Sequence, residues 1–368
     1  MQQRELIIFM PSIEGGGVEK NLFIIANYLS KKIKNIILIT ASRKYNNKFK
    51  NIKIINPTVR LENLKGRKLK YILCIIELLK FLIKSDKYVL FAFQANLYCA
   101  LISIFFPNLK IITRSNSSPS GWSKNYFKKF IFKYLFKRIN KVIVNSLSLK
   151  KELKQKFNVN SECIYNPLNK KDIIKLSKKK LNFSFFNTSK LKIINIGRLV
   201  EQKDQLTFLK SLNILKSKIS FRAVIMGSGK KKQELLNYIS ENDLKKFVKI
   251  INFQNNPYTF IRKSDLLVHT AIFEGLPNVL LEAISLNKYV ISTNCPTGPS
   301  EILSNGKGGD LVKMKDYLKI SEKLENYSKN KISFKKKIVF SKINLERFNF
   351  RKNLKKYLKV TNDYLNKS

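Results

Sequence analysis

A chain of 368 residues is long enough for two medium α/β domains, each with its own core. A hydrophobic share of 44% and a charged share of 26% exclude the disordered and fibrous classes. The net charge of +48 has two readings: Lys filling solvated faces as a compositional habit, or attraction to a polyanion such as anionic lipid, a phosphorylated substrate or nucleic acid.

In chain order, Met1 to Arg4 runs into the strand-like Leu6–Met10 without the layout of a signal peptide. Gly15, Gly16 and Gly17 follow, then Val18, Leu22, Ile25, Ala26 and Leu29 on one helical face. Three glycines between a strand and a helix either cradle a phosphate or simply make the turn. Short apolar runs at 35–40, 89–93, 110–113 and 141–144 read as buried strands separated by helices, the pattern of a parallel sheet covered on both faces. The longest apolar stretch, Tyr71 to Ile83, is interrupted by Glu77 and Lys80 and is too short to span a bilayer, so the protein is expected in the cytoplasm or on a membrane surface.

From Lys124 to Lys141 the chain carries seven basic residues and no acidic one. As a helix it sets Lys129, Lys133, Lys137 and Lys141 in one stripe and Phe127, Phe130, Ile131, Tyr134 and Leu135 in another. That pattern suits an interfacial helix on anionic lipid, and equally a helix packed on the sheet with a solvated basic edge.

Residues 168–190, rich in Lys, Ser and Asn, break the rhythm and read as an inter-domain linker. The rhythm then restarts, with strands expected at 191–196, 221–226, 248–252, 266–269 and 289–292. A basic helical stretch begins near Ile343. Cys74, Cys99, Cys163 and Cys295 are isolated, which fits neither a zinc site nor a disulfide framework. His269, the single histidine, lies in an apolar run and reads as a core or strand-end residue.

Several strand ends carry candidate chemistry. After 191–196 come Gly197, Arg198 and Lys203, a tight turn with two cations able to neutralise a diphosphate or simply to face solvent. After 221–226 come Gly227 and Gly229, a short turn that is not a dinucleotide fingerprint. The densest signal is Phe273-Glu-Gly-Leu-Pro-Asn-Val-Leu-Leu-Glu282. Pro277 suits the first position of a helix. That leaves Glu274 in the preceding loop and puts Glu282 about one and a half turns inside, roughly 7–9 Å along the axis. Two such carboxylates can hold two ends of a hydroxyl-rich ligand. No Asp-x-Asp pair or His/Asp cluster offers ligands to a divalent metal, so no metal is expected.

Together, Gly197-Arg198 with Lys203, Gly227-x-Gly229, Phe253-x-Asn255 and Glu274-x7-Glu282 resemble the retaining, nucleotide-sugar-dependent glycosyltransferases of family 4. Gly15–Lys20, Val144-Asn-Ser146, Tyr165-Asn-Pro167 and Asn294–Leu303 fall in the same order, so the resemblance spans nearly the whole chain. It implies the GT-B fold: two doubly wound Rossmann-like α/β domains facing across a cleft. Residues 1–167 would bind the acceptor, 168–190 link, 191–342 bind the nucleotide-sugar, and 343–368 pack back on the N-terminal domain. The implied reaction moves a hexose or N-acetylhexosamine from a UDP-linked donor to a lipid-linked or envelope-glycan acceptor. No cofactor or metal takes part, and the enzyme would sit on the inner face of the cytoplasmic membrane.

The resemblance assigns Arg198 and Lys203 to the donor diphosphate, Glu274 to the transferred sugar and Glu282 to the ribose. Gly16, Gly17, Gly197, Gly227, Gly229, Phe253, Asn255, Gly275, Leu276, Pro277 and Asn278 would line the donor. Many relatives place a histidine near the sugar in the N-terminal domain; this chain has Arg114-Ser115-Asn116 there, so Arg114 and Asn116 are expected to contact sugar or acceptor. A GT-B-like epimerase or phosphorylase is the alternative. A nucleic-acid-binding protein rests on charge alone, without an RNP-type motif, zinc knuckle or recognition helix.

Overall fold

Apolar residues in runs of four to six alternate with helical periodicity, and the chain folds accordingly. The computed structural model describes residues 4–58, 66–116 and 126–366, with Arg67 and residues 126–129 described by backbone alone. The chain divides into unit 1, Met1–Pro167 with Phe350–Ser368, and unit 2, Leu168–Asn349.

Unit 1 runs β1 (Glu5–Phe9), α1 (Gly17–Leu29), β2 (Ile36–Ile39), β3 (Lys53–Ile55), α2 (Arg67–Lys84), β4 (Tyr88–Ala92), α3 (Asn96–Phe105), β5 (Lys110–Ser115), α4 (Tyr126–Phe136), β6 (Lys141–Val144), α5 (Leu147–Phe157) and β7 (Glu162–Cys163). Its parallel sheet has the order β3-β2-β1-β4-β5-β6-β7. Side chains alternate across a strand, so Ile7 and Phe9 enter one core with Cys74 and Leu78 of α2, while Leu6 and Ile8 enter another with Ile25 and Leu29 of α1. Burial on both faces is why these strands read as unbroken apolar runs.

Unit 2 runs α6 (Lys170–Ser177), β8 (Leu191–Ile196), α7 (Gln205–Leu215), β9 (Phe221–Met226), α8 (Lys232–Glu241), β10 (Val248–Ile251), α9 (Tyr258–Lys263), β11 (Leu266–His269), α10 (Asn278–Ser285), β12 (Tyr289–Thr293), α11 (Pro299–Ile302), β13 (Asp310–Val312), α12 (Tyr317–Lys329) and α13 (Lys335–Asn344). The parallel sheet order is β10-β9-β8-β11-β12-β13. Strand order reverses beside β8, so the loops leaving β8 and β11 diverge at the carboxyl edge, the place where such sheets take ligands. The last helix, α14 (Phe350–Leu365), belongs to unit 1, where Leu354, Tyr357 and Val360 join the core of α1.

Three features differ from the sequence expectation. Residues 168–190 are part of unit 2: Asn169 caps α6, α6 packs on α9 and α10, and Ile173 and Phe186 are buried. Two apolar anchors outweigh a polar composition. Residues 343–349 also stay in unit 2, with Leu345 and Phe348 buried, so the crossing to unit 1 comes at Phe350. Pro277 takes the N-cap position and Asn278 opens α10. The strands β3, β7 and β13, of two or three residues, were too short to show as apolar runs.

Candidate active site

The loop after β8 is built against the loop after β9. Gly197 N–H donates to Met226 O at 3.0 Å and Leu199 N–H to Ser228 O at 2.9 Å. A Cβ on Gly227 would lie 1.9 Å from Gly197 O, and one on Gly229 would lie 2.3 Å from Leu199 O. This backbone approach by itself requires both glycines. Phe253 N–H reaches Ser228 Oγ at 3.4 Å, which brings the next loop beside the same turn with the Phe253 ring and Asn255 exposed.

The loop after β8 also binds the loop after β11. Thr270 Oγ1 donates to Lys203 O at 3.0 Å, Ile272 N–H to Gln202 O at 2.9 Å, and Gln202 Nε2 to Phe273 O at 2.9 Å. Asp204, in the left-handed region at φ 44°, turns the chain and caps α7 through Thr207 N–H. These bonds carry Lys203 to Glu274, and its ammonium donates to Glu274 Oε1. Arg198 stays exposed, with Nη2 3.4 Å from Gln202 Oε1.

Glu274 is buried, and its Oε1 also lies 3.0 Å from His269 Nε2. Burial alone would raise its pKa, but the Lys203 charge and the His269 hydrogen bond outweigh that and bring it down to about 2. His269 is buried at the last position of β11, paired in register with Ser292 of β12, whose Oγ lies 3.0 Å from Nδ1. Burial lowers the His269 pKa, Glu274 opposes this, and Lys203 adds to the lowering.

Beyond Glu274 the chain makes a close crossing. A Cβ on Gly298, at φ +80°, would lie 2.1 Å from Gly275 O, and Thr297 Oγ1 donates to Glu274 O. The turn from Gly275 to Pro277 is thus held from behind, with Leu276 buried. Glu282 is buried on α10, four residues past its first residue Asn278, or about 6 Å along the axis.

The structure therefore brings Gly197, Arg198, Lys203, Gly227, Gly229, Phe253, Glu274 and the 275–278 turn to one sheet edge of unit 2. Sequence reasoning missed His269, Ser292, Thr270 and Gln202. The available signal for His269 was its place at a strand end five residues before Glu274.

The unit 1 expectations fare differently. Gly16 and Gly17 open α1, where the Glu19 carboxylate lies against Gly16 and accepts from Glu14 N–H at 3.4 Å. Arg114 needs correction as a sugar contact: it is 1% exposed, and Nε donates to Tyr357 Oη at 2.9 Å, Nη2 to Asn166 Oδ1 at 2.6 Å, and Nη1 to Asn116 Oδ1. The guanidinium is spent anchoring α14 to β5, and Asn116 is tied to it. Lys133 and Lys137 are exposed, while the Lys129 side chain lies outside the described residues, as do residues 117–125. Phe132, Leu135 and Phe136 face the core and Phe130, Ile131 and Tyr134 face outward, so Leu135 leaves the stripe assigned to it.

Comparison with known proteins bears on this geometry. Residues 177–347 match the family model for glycosyl transferases group 1. The chain superposes on the Anabaena HepE structure in complex with UDP with a TM-score of 0.77, at 16% identity, over 98% of this chain and 100% of that one. The chain has the GT-B fold, and its second unit carries the match to that family model. A glycosyltransferase of Methanocaldococcus jannaschii is 32% identical over 53% of this chain, which spans about half (51%) of that relative. The N-acetylgalactosamine-N,N'-diacetylbacillosaminyl-diphospho-undecaprenol 4-alpha-N-acetylgalactosaminyltransferase of Campylobacter jejuni is 27% identical over 84% of this chain and 86% of its own length.

Proposed function

We propose that the chain is a retaining glycosyltransferase of family 4 that moves a hexose or N-acetylhexosamine from a UDP-linked donor to a lipid-linked or envelope-glycan acceptor. The observation that carries this reading is the meeting of Lys203 and Glu274 at the switch point of the unit 2 sheet, beside the exposed Arg198. Arg198 and Lys203 take the diphosphate, so leaving-group charge is met by side-chain cations without a metal. Glu274, whose Lys203 and His269 partners both lie on Oε1, turns its other oxygen to the sugar, and Glu282 holds the ribose. The anomeric carbon–oxygen bond to the β-phosphate breaks as the acceptor hydroxyl attacks on the same face, and its proton passes to the departing phosphate oxygen. UDP is favoured by the ligand of the HepE structure, and a lipid-diphosphate acceptor by the name of the Campylobacter relative.

Membrane contact belongs to the same proposal. Phe130 and Tyr134 of α4 are 67% and 58% exposed, interleaved with exposed Lys133 and Lys137, and Leu101 and Phe105 of neighbouring α3 are exposed too. An apolar face edged by cations suits an anionic bilayer surface. Among the described residues no helix is long and apolar enough to cross a membrane.

The test is a screen of UDP-sugars against undecaprenyl-diphosphate-linked saccharides, with product mass and anomeric configuration measured in EDTA. Expected are UDP release that depends on acceptor and a product with the donor's configuration. UDP release without acceptor, an inverted product, or loss of transfer in EDTA overturns the corresponding part.

A further inference from the structure

We propose that His269 is a positioning residue for sugar transfer, donating from Nε2 to hold the Glu274 carboxylate, with Ser292 holding the ring from the opposite side. The proposal rests on the reading of Glu274 given above.

For a neutral imidazole the hydrogen-bond partners leave one arrangement. Ionised Glu274 only accepts hydrogen bonds, so the His269 nitrogen 3.0 Å from its Oε1 carries a hydrogen. In a neutral imidazole, Nδ1 is then the acceptor, and the group 3.0 Å away, Ser292 Oγ, is the donor. The Ser292 hydroxyl has a second acceptor within reach, Thr293 O at 3.0 Å, so its one hydrogen serves either that carbonyl or the ring, and it holds the ring when it points to Nδ1. Protonating His269 would place a second cation beside Lys203 in a buried site, and burial disfavours it. Lys203 and Glu274 are the charged groups facing the ring.

Lys203 arrives on a loop and is itself assigned to the donor diphosphate. If it moves to phosphate, the Glu274 carboxylate keeps, among the described residues, the His269 hydrogen bond. His269 sits on the sheet, fixed by strand register, so it keeps the carboxylate oriented when the cation leaves.

Because His269 is the only histidine, ¹⁵N-histidine labelling of the full chain gives one imidazole spectrum. The expected pattern at about pH 7.5 is the Nε2–H tautomer of a neutral ring. An Nδ1–H pattern, or an imidazolium pattern at that pH, overturns the proposal. In transfer assays, His269→Phe should lower kcat by about 10-fold or more with donor KM within about 2-fold, and His269→Gln, whose amide keeps a donor near the Nε2 position, should recover most of it. Equal kcat for wild type and His269→Phe, or no recovery by His269→Gln, overturns it. Glu274→Gln separates the two readings: if it keeps full transfer, the role of Glu274 fails and this proposal with it; if it collapses transfer while His269→Phe does not, only the positioning role fails.

Discussion

Lys203 and Glu274, 71 residues apart, form an ion pair that closes the loop after β8 onto the loop after β11. Breaking such a pair from the lysine side leaves an acid buried with one partner. Lys203→Met is therefore expected to cost about 3 kcal/mol, the low end for a buried pair because Lys203 keeps some solvent contact. Urea denaturation measures it, and a midpoint equal to wild type would show that the pair adds no stability. Glu274→Gln removes the charge instead. It should leave UDP binding nearly intact and reduce turnover at least about 100-fold.

Arg198→Ala should weaken UDP binding by more than removal of a surface lysine such as Lys210, because a planar guanidinium exposed at this loop can make bidentate phosphate contacts that an ammonium elsewhere does not. Titration calorimetry reads the difference. Equal losses would place the diphosphate elsewhere.

Acid should unfold unit 2 in two steps. His269 has its pKa lowered in the fold, so below about pH 6.5 the unfolded chain binds a proton that the native ring refuses, and stability falls. Glu274 is held near 2 against an ordinary 4.5, so its contribution is present above about pH 4.5 and lost as pH falls towards 2. Denaturant midpoints from pH 8 to about 2 should decline, and His269→Gln should flatten the upper part of that decline. A profile unchanged by the substitution would deny His269 its share.

Gly227→Ala should destabilise unit 2 by about 1–3 kcal/mol, since the new methyl meets the Gly197 carbonyl and neither backbone can retreat without breaking its ladder. A thermal midpoint matching wild type would mean that the two loops have slack the crossing does not suggest.

Charge reversal at Lys133 and Lys137 should lower co-sedimentation with anionic vesicles by at least about 10-fold, at roughly 1 kcal/mol per basic residue near the surface. Neutral vesicles should show little change. Unaltered sedimentation on anionic vesicles would make α4 an ordinary packed helix with a solvated basic edge.

The sheet strands were legible because strands buried on both faces cannot avoid being apolar runs, and the central strands fall within a residue or two of their expected places. The short edge strands and α6 were not, since two or three residues of strand, or two apolar anchors in a polar stretch, leave no period to read. Among candidate site residues, Glu274 and Glu282 stood out from motif spacing, and Arg198 and Lys203 only through the family resemblance. Their partners did not. Nothing in the chain's linear order says that Lys203 meets Glu274, that a lone histidine in an apolar run ends beside a carboxylate, or that Arg114 is spent on Tyr357, 243 residues away. The sequence by itself determined the alternation of strand and helix and the residue types at the strand ends, because both follow from local periodicity. Only the tertiary structure decided which of those side chains face one another, because the order β8-β11-β12 and its register set distances that sequence separation does not contain.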